Sequence, residues 1–321
     1  MIRSNPTNSI NISFSSYVRQ RKTESISHME GGICDYAYGP DYQIRQKIRG
    51  LPGVFPLFRA ITNQYVPYMK QAINQSSLKV GPNQFPDIYQ QVLDCAKRLG
   101  IGIPTVYIQQ NPGLLNAFAY AYEDDAPLIV ITSALLERLS PGELKTVIGH
   151  ECGHIHNNHG IYNVAVEMIV NTLSLNIPGI QQLLKLASYP IQWLLMAWSR
   201  AAEVTCDRAG IICADDAEDA ITAEAKLLFG AAFNRNNVNI DAILKQYEML
   251  RKTPVRFLEI DSTHPAAVRR IFADKEFLNS EVLYKWRPEW KTSDMQLFNK
   301  QELDARCEKY ISVTKSEKWE G

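Results

Sequence analysis

The segment Ser140–Gly160 constrains the fold more than any other part of the chain, because it predicts one helix with a defined start and end. Ser140 suits the N-cap and Pro141 the first helical position. Glu143 then completes an S-x-x-E capping box. Gly160 can end the helix in the left-handed region, so the segment predicts a helix of about five turns.

The same segment contains the pattern H-E-x-x-H at His150, Glu151 and His154. A residue advances about 100° around a helix, so the two histidines lie one turn apart on one face. Two imidazoles placed in this way can share a metal ion, and Glu151 beside them can take a proton from a metal-bound water. These five positions are equally compatible with a polar helix that binds no metal.

A metal centre of this kind needs a third protein ligand, and a later predicted helix offers one. Glu203 can supply a carboxylate oxygen, and Asp207, one turn further on, can accept the free N–H of His150 and fix its tautomer. Arg200 shares that face and could hold the two carboxylates. Taken alone, the segment could also be an ordinary amphipathic helix that carries surface charges.

Composition is typical of a globular protein and excludes some classes of partner. The chain has 321 residues, 45% hydrophobic and 21% charged, with 34 basic and 34 acidic side chains. We find no basic stretch interleaved with aromatic residues and therefore predict no nucleic-acid partner. Six cysteines without a C-x-x-C pair predict reduced thiols. No signal peptide and no run of 18 apolar residues is visible, so we predict a cytoplasmic protein without a transmembrane segment.

The pattern along the chain predicts a mainly helical α+β catalytic domain over residues 41–290. Residues 1–40 are predicted to be a flexible polar extension. Cys34 within it could approach the metal as an inhibitory thiolate, but a loop cysteine more often has no such role. Residues 291–321 read as a mixed-charge tail. Three short strands, at 105–109, 116–122 and 127–132, predict a small antiparallel sheet directly before the metal helix. Such a sheet can offer its edge to an extended peptide.

Four blocks in a fixed order resemble the gluzincin zinc metallopeptidases of the CAAX prenyl protease and heat-shock protease HtpX family. The resemblance covers roughly residues 80–275, and the ordered combination is far more specific than any one block. The blocks are Asn116-Ala117-Phe118-Ala119, the motif His150–His154, Ser199-Arg200-Ala201-Ala202-Glu203 with Asp207, and Thr263-His264-Pro265 with Arg270-Ile271.

The resemblance implies a zincin-like fold, one Zn²⁺ per chain and a role for each matching residue. His150, His154 and Glu203 would bind zinc, Glu151 would be the general base, and Asp207 would orient a ligand. His264 would help to stabilise the tetrahedral oxyanion. The segment Asn116–Ala119 would be the edge strand beside the substrate.

The implied function is a zinc endopeptidase that hydrolyses protein or peptide substrates through a zinc-activated water. The alternative is a catalytically silent or latent peptide-binding protein on the same fold. Unlike integral-membrane members of the family, this chain shows no spanning helix, and the sequence leaves open whether residues 161–198 contact a membrane surface. The oligomeric state is also left open. On a continued helix His156 and His159 would point away from the metal, and we exclude both as ligands.

Overall fold

The computed structural model describes residues 28–30, 32–122, 125–170, 189–229, 239–251 and 267–312. The described residues up to Thr132 form short strands and three helices. In chain order these elements are β1 (Met29–Glu30), β2 (Ile33–Cys34), α1 (Gly39–Gly50), α2 (Val54–Ser76), β3 (Ser77–Lys79), α3 (Pro86–Leu99), β4 (Thr105–Gln109), β5 (Ala117–Tyr122) and β6 (Asp125–Thr132).

The described part of the second half is helical, so the expected mainly helical α+β fold is confirmed. Residues 161–198, for which the sequence left open a contact with a membrane surface, lie partly outside the described residues. The helices are α4 (Ser133–Arg138), α5 (Pro141–His156), α6 (Gly160–Val170), α7 (Tyr189–Cys213), α8 (Ala217–Phe229), α9 (Ile240–Arg251), α10 (Ala267–Leu278), α11 (Glu281–Trp286) and α12 (Lys300–Ile311), with a 3₁₀ turn at Pro288–Trp290.

Strands β3 to β6 form one four-stranded sheet in the order β3-β4-β6-β5. The pairs β3–β4 and β5–β6 are antiparallel, but β4 and β6 run parallel, with Val106 opposite Ile129. The sheet is therefore mixed, not wholly antiparallel as the sequence suggested. The cause is the strand order: in the described sheet β6, and not β5, lies beside β4, and this pair is parallel. This order leaves β5 at an edge.

Helix α5 lies at the centre of the described core. Its start follows the predicted chemistry, because the Ser140 side chain accepts from the Glu143 N–H and the Glu143 carboxylate accepts from the Ser140 N–H. Thirteen of its residues are buried, including Ile148 and Cys152. A helix buried on almost every face is held in place by its neighbours, above all α7, and can fix catalytic side chains firmly.

The two predicted terminal segments are packed where the structure describes them. Tyr36 and Tyr38 are fully buried, and His28 stacks on Trp286 with ring centroids 3.8 Å apart. The prediction of a flexible extension is therefore wrong for the described residues from 28 to 40, because aromatic side chains there complete the core. Within the predicted tail, α12 buries Leu303, Cys307 and Ile311 against the same core.

Candidate metal centre

Helices α5 and α7 approach closely enough to bring the motif against Glu203. A methyl group at Gly153 would lie 2.7 Å from the Ala209 Cβ, so only glycine permits this contact. Glu203 and Asp207 are one turn apart on α7 and face the motif from the opposite side. The close packing of the two helices thus assembles a site from residues far apart in sequence.

The ring nitrogens of both motif histidines face the Glu203 carboxylate. Nε2 of His150 lies 3.8 Å from Oε2, and Nε2 of His154 lies 3.7 Å from Oε1. Two ligands bound about 2.0–2.1 Å from one tetrahedral zinc are about 3.4 Å apart. Two imidazole nitrogens and a carboxylate oxygen are also donors that zinc prefers. The three side chains therefore fit a single zinc ion.

The other ring nitrogen of His150 is held by an ionic network. Nδ1 of His150 lies 2.9 Å from Oδ1 of Asp207, as the spacing predicted. Arg270 donates from Nε and Nη2 to Asp207, and its guanidinium also lies 3.2 Å from Glu203 and from Glu224. Sequence analysis gave the clamping role to Arg200, which is buried on α7. Arg270 contacts both carboxylates in the structure, and the sequence singled it out only as part of the fourth matching block. The role of Arg200 stays a prediction.

These contacts shift the protonation of the groups around His150. Burial alone would lower the pKa of His150, but Asp207 and Glu203 raise it from 6.5 to about 9. Burial opposes ionisation of Asp207 too, yet Arg270 and His150 bring its pKa below the ordinary value. Burial raises the pKa of Glu224 to about 7. The cluster is a compact charge network around Arg270.

The second ring nitrogen of His154 is held by a different, fully enclosed group. Nδ1 of His154 lies 3.1 Å from Nδ1 of His159, whose Nε2 lies 3.0 Å from Oδ2 of Asp41. Asp41 also accepts from the Trp198 indole N–H and the Thr205 hydroxyl. Sequence analysis excluded His159 as a ligand but missed this contact, and no feature of the sequence linked Asp41 to the motif.

The missed contact follows from where α5 ends. The helix stops at His156, Asn157 follows as the C-cap, and Asn158 has the positive φ of 56°. Gly160 was predicted to end the helix, but it begins α6, where a methyl group would lie 1.7 Å from the Ala121 carbonyl oxygen. The early turn directs His159 back to His154. His156 turns instead to the Tyr36 hydroxyl, 2.9 Å away.

The proposed ligands line a cleft of about 880 Å³ together with Glu151 and the edge strand. Asn116, directly before β5, and Ala117, Phe118 and Ala119 on β5 border this cleft. In the described sheet β5 pairs with β6 along one side. An extended peptide laid along β5 would therefore pass the Glu151 carboxylate.

Cys206 offers an alternative third donor. Its thiol belongs with His150 and His154 to a group whose ligand atoms lie within 4.8 Å of one another. The Glu203 oxygens, in contrast, face the Nε2 atoms of both histidines. The Cys206 sulfur also lies 3.6 Å from Nδ1 of His159. The contacts of Glu203 with both Nε2 atoms favour it over Cys206 as the third donor.

The sequence also singled out His264 and Cys34. His264, the expected oxyanion residue, lies outside the described residues. Cys34 is buried beside His156 and Asn157 in a small separate cavity of about 110 Å³ and does not line the main cleft.

A comparison of family profiles decides the family. The profile described as peptidase family M48 matches residues 82–276. The chain belongs to peptidase family M48. The match includes the motif helix, Glu203, Asp207 and Arg270, and it excludes α1 and Asp41. Membership of family M48 agrees with the family that the four blocks indicated.

Relatives within family M48 carry protease names. Plastoglobule-localized metallopeptidase 48, chloroplastic, from Arabidopsis thaliana is 28% identical over 225 residues, which are 69% of this chain and 64% of the relative. Protease HtpX from Escherichia coli K12 is 38% identical over 77 residues, 24% of this chain and 26% of the relative. The chain thus spans less than two thirds of each relative's length. A crystal structure of Ste24p from S. mikatae aligns with a TM-score of 0.41 and 15% identity, covering 72% of this chain and 62% of that one.

Among the described residues, no helix is both long and apolar enough to cross a bilayer. The Arabidopsis relative is named as chloroplastic, so the cytoplasmic location expected from the sequence stays a prediction.

Proposed function

We propose that the chain is a zinc-dependent endopeptidase that hydrolyses peptide bonds in protein or peptide substrates. One observation carries the proposal: Nε2 of His150 and Nε2 of His154 face the two Glu203 oxygens at 3.8 and 3.7 Å in a cleft that Glu151 also lines. Membership of peptidase family M48 supports it.

The proposed zinc ligands are His150, His154 and Glu203. When bound, zinc supplies Lewis acidity, which lowers the pKa of a coordinated water and polarises the scissile carbonyl. The Asp207 carboxylate holds the proton on Nδ1 of His150, so that Nε2 is the nitrogen that would give up its proton to the metal. Arg270 holds Asp207 and Glu203 in place.

Glu151 is the proposed general base. Its carboxylate receives a proton from the attacking water and passes that proton to the leaving nitrogen, which restores the starting state. The β5 backbone would hold the substrate in an extended form through main-chain hydrogen bonds. His264 would donate a hydrogen bond to the developing oxyanion, as the family resemblance implies.

The test compares the wild type with Glu151→Gln and Glu203→Ala. Metal analysis should find about one zinc per chain in the wild type and in Glu151→Gln, and a large loss in Glu203→Ala. Cleavage of unfolded proteins should fall at least about 100-fold in Glu151→Gln, because the base is gone but the ligands remain.

Three results would contradict the proposal. Continued proteolysis by Glu151→Gln would exclude the base, and absence of zinc from the wild type after zinc is supplied would exclude the metal. A zinc-loaded wild type that binds unfolded peptides without cutting them would favour a peptide-binding protein. A panel of other amides separates an endopeptidase from a hydrolase of another substrate class.

A further inference from the structure

His154 begins a buried chain of hydrogen bonds that leads away from the cleft and ends in α1. The first link joins Nδ1 of His154 to Nδ1 of His159 at 3.1 Å, and the second joins Nε2 of His159 to Oδ2 of Asp41 at 3.0 Å. His159 and Asp41 are fully buried, and His154 is 7% exposed. Bulk water does not compete for these bonds, so their polarity is decided by the protein.

Asp41 fixes the polarity of the chain because an ionised carboxylate can only accept. It already accepts from the Arg45 guanidinium and the Trp198 indole at Oδ1, and from the Thr205 hydroxyl at Oδ2. The contact with His159 therefore requires a proton on Nε2 of His159. In the neutral ring Nδ1 is then a bare acceptor.

The proton between the two histidines consequently belongs to His154. With Nδ1 protonated, a neutral His154 ring keeps a lone pair on Nε2, the atom that faces Glu203. Nδ2 of Asn163 lies 3.3 Å from Nδ1 of His154. A proton on Nδ1 of His154 therefore requires the Asn163 amide in the turned orientation, in which its oxygen accepts from the same N–H. The arrangement presents the His154 nitrogen in the protonation state that a metal requires.

We propose that His159 and Asp41 are positioning residues for His154: the ordered bonds His154 Nδ1–H to His159 and His159 Nε2–H to Asp41 leave Nε2 of His154 unprotonated and aimed at the metal. This inference rests on the proposed function, because it takes His154 as a ligand. Asp41 lies outside residues 82–276, so α1 contributes to a centre that the family profile covers only in part.

Helix α1 is held against the motif by further contacts that support this assignment. Arg45 donates to the Asn157 carbonyl at 2.7 Å, and the Asn157 side chain donates to the Gly153 carbonyl at 2.9 Å. The turn that carries His159 is thereby tied both to α1 and to the motif helix. The position of His159 is therefore fixed by contacts of its turn with α1 and with the motif helix, as a positioning role requires.

The first experiment measures Zn²⁺ affinity by competition with a chelator for the wild type, His159→Leu, His159→Gln and Asp304→Asn. His159→Leu should bind zinc about 10- to 100-fold more weakly, the usual effect of losing the partner of a ligating histidine. His159→Gln should recover most of that loss, because an amide can accept from His154 and donate to Asp41.

Asp304→Asn is the matched control for loss of a buried ionic contact. Asp304 pairs with Arg208 on α7 at 2.9 Å and accepts from the Gly39 N–H of α1, but neither contact leads to the motif histidines. Its zinc affinity should match the wild type. Equal losses in His159→Leu and His159→Gln, or no loss in His159→Leu, would overturn the proposal. A wild type that binds no zinc would instead refute the proposed function, so the two failures are distinguishable.

A second experiment needs no variant. The chain has six histidines, so ring-¹⁵N labelling of histidine gives a short set of signals in the zinc-loaded protein. The signal of His159 should show the proton on Nε2 and a bare Nδ1. A proton on Nδ1 of His159 would reverse the chain of bonds and overturn the proposal, whatever the affinities of the variants.

Discussion

The two motif histidines are held in opposite ways although they lie one turn apart on the same helix. His150 is held by Asp207, whose charge is shared with Arg270 in a network that lines the cleft. His154 is held by the His159 ring, with Asp41 behind it in the protein interior. We call these two arrangements the supports of His150 and His154. The support of His150 lies at the cleft, and its first contact is with the charged Asp207. The support of His154 is enclosed in the protein, and its first contact is with the neutral His159 ring.

The difference explains how each support tolerates burial. Asp207, Glu203 and Glu224 all contact the guanidinium of Arg270, so one cation serves three carboxylates. Asp207 also contacts His150. Asp41 receives four hydrogen bonds from four separate donors, so no single partner is indispensable. Removal of one cation should therefore damage the first support more than the second.

The largest effect is expected from Arg270→Met, compared with Arg45→Met. Both changes keep the aliphatic stem and delete a guanidinium. Arg270→Met removes the guanidinium that three buried carboxylates contact and should cost about 3–5 kcal/mol of unfolding free energy in the metal-free protein. Arg45→Met removes one charged hydrogen-bond donor from Asp41 and should cost about 1.5–3 kcal/mol. Urea unfolding of both proteins measures the difference, and equal losses would contradict it.

The next effect concerns zinc affinity when both supports are changed. Asp207→Asn should weaken zinc binding about 10- to 100-fold, because Nδ1 of His150 loses its anionic acceptor. The two supports act on different histidines and share no residue among these contacts. The losses of zinc-binding free energy in Asp207→Asn and His159→Leu should therefore add in the double variant, within about 0.5 kcal/mol. Chelator competition on the four proteins tests this, and a double variant no weaker than the worse single one would show that the supports are one unit.

Much of the site could be predicted from sequence where the pattern is local. Helical spacing gave the shared face of His150 and His154, and the spacing of Glu203 and Asp207 gave the bond to His150 that the structure shows. Asp41 could not be predicted, because its contact with His159 depends on a turn that ends α5 before Gly160. The parallel pairing of β4 with β6 could not be predicted either, because the order of strands in a sheet is a tertiary property that local alternation does not encode.

The two supports should also differ in their response to pH. The pKa of His150 is raised to about 9 in the metal-free protein, so this bond contributes stability fully below pH 6.5 and loses it as the pH rises through about 9. Burial lowers the pKa of His159, so its contribution is present above pH 6.5 and is lost as the pH falls.

Zinc must displace the proton of His150, and the affinity should therefore rise with pH up to about 9. At pH 7.5 calorimetry in buffers of different ionisation enthalpy should find about one proton released per zinc in the wild type. Asp207→Asn should release less, because the group that raises the pKa of His150 is neutral there. His159→Gln should release as much as the wild type. If Asp207→Asn released as many protons per zinc as the wild type, the released proton could not be assigned to His150.

The smallest effect is expected from Cys206→Ala, which tests the boundary between the two supports. Its sulfur lies 3.6 Å from Nδ1 of His159, on the Nδ1 side of His154, whereas Nε2 of His154 faces Glu203. Zinc affinity should change less than about 3-fold, at a stability cost of about 1 kcal/mol for the lost buried atom. Cys152→Ala, at another fully buried thiol of the core, is the control. A loss of zinc affinity of 100-fold or more in Cys206→Ala, without a similar loss in Cys152→Ala, would identify the Cys206 thiol as a zinc ligand. His159, which contacts that thiol, would then contact two zinc ligands and not His154 alone.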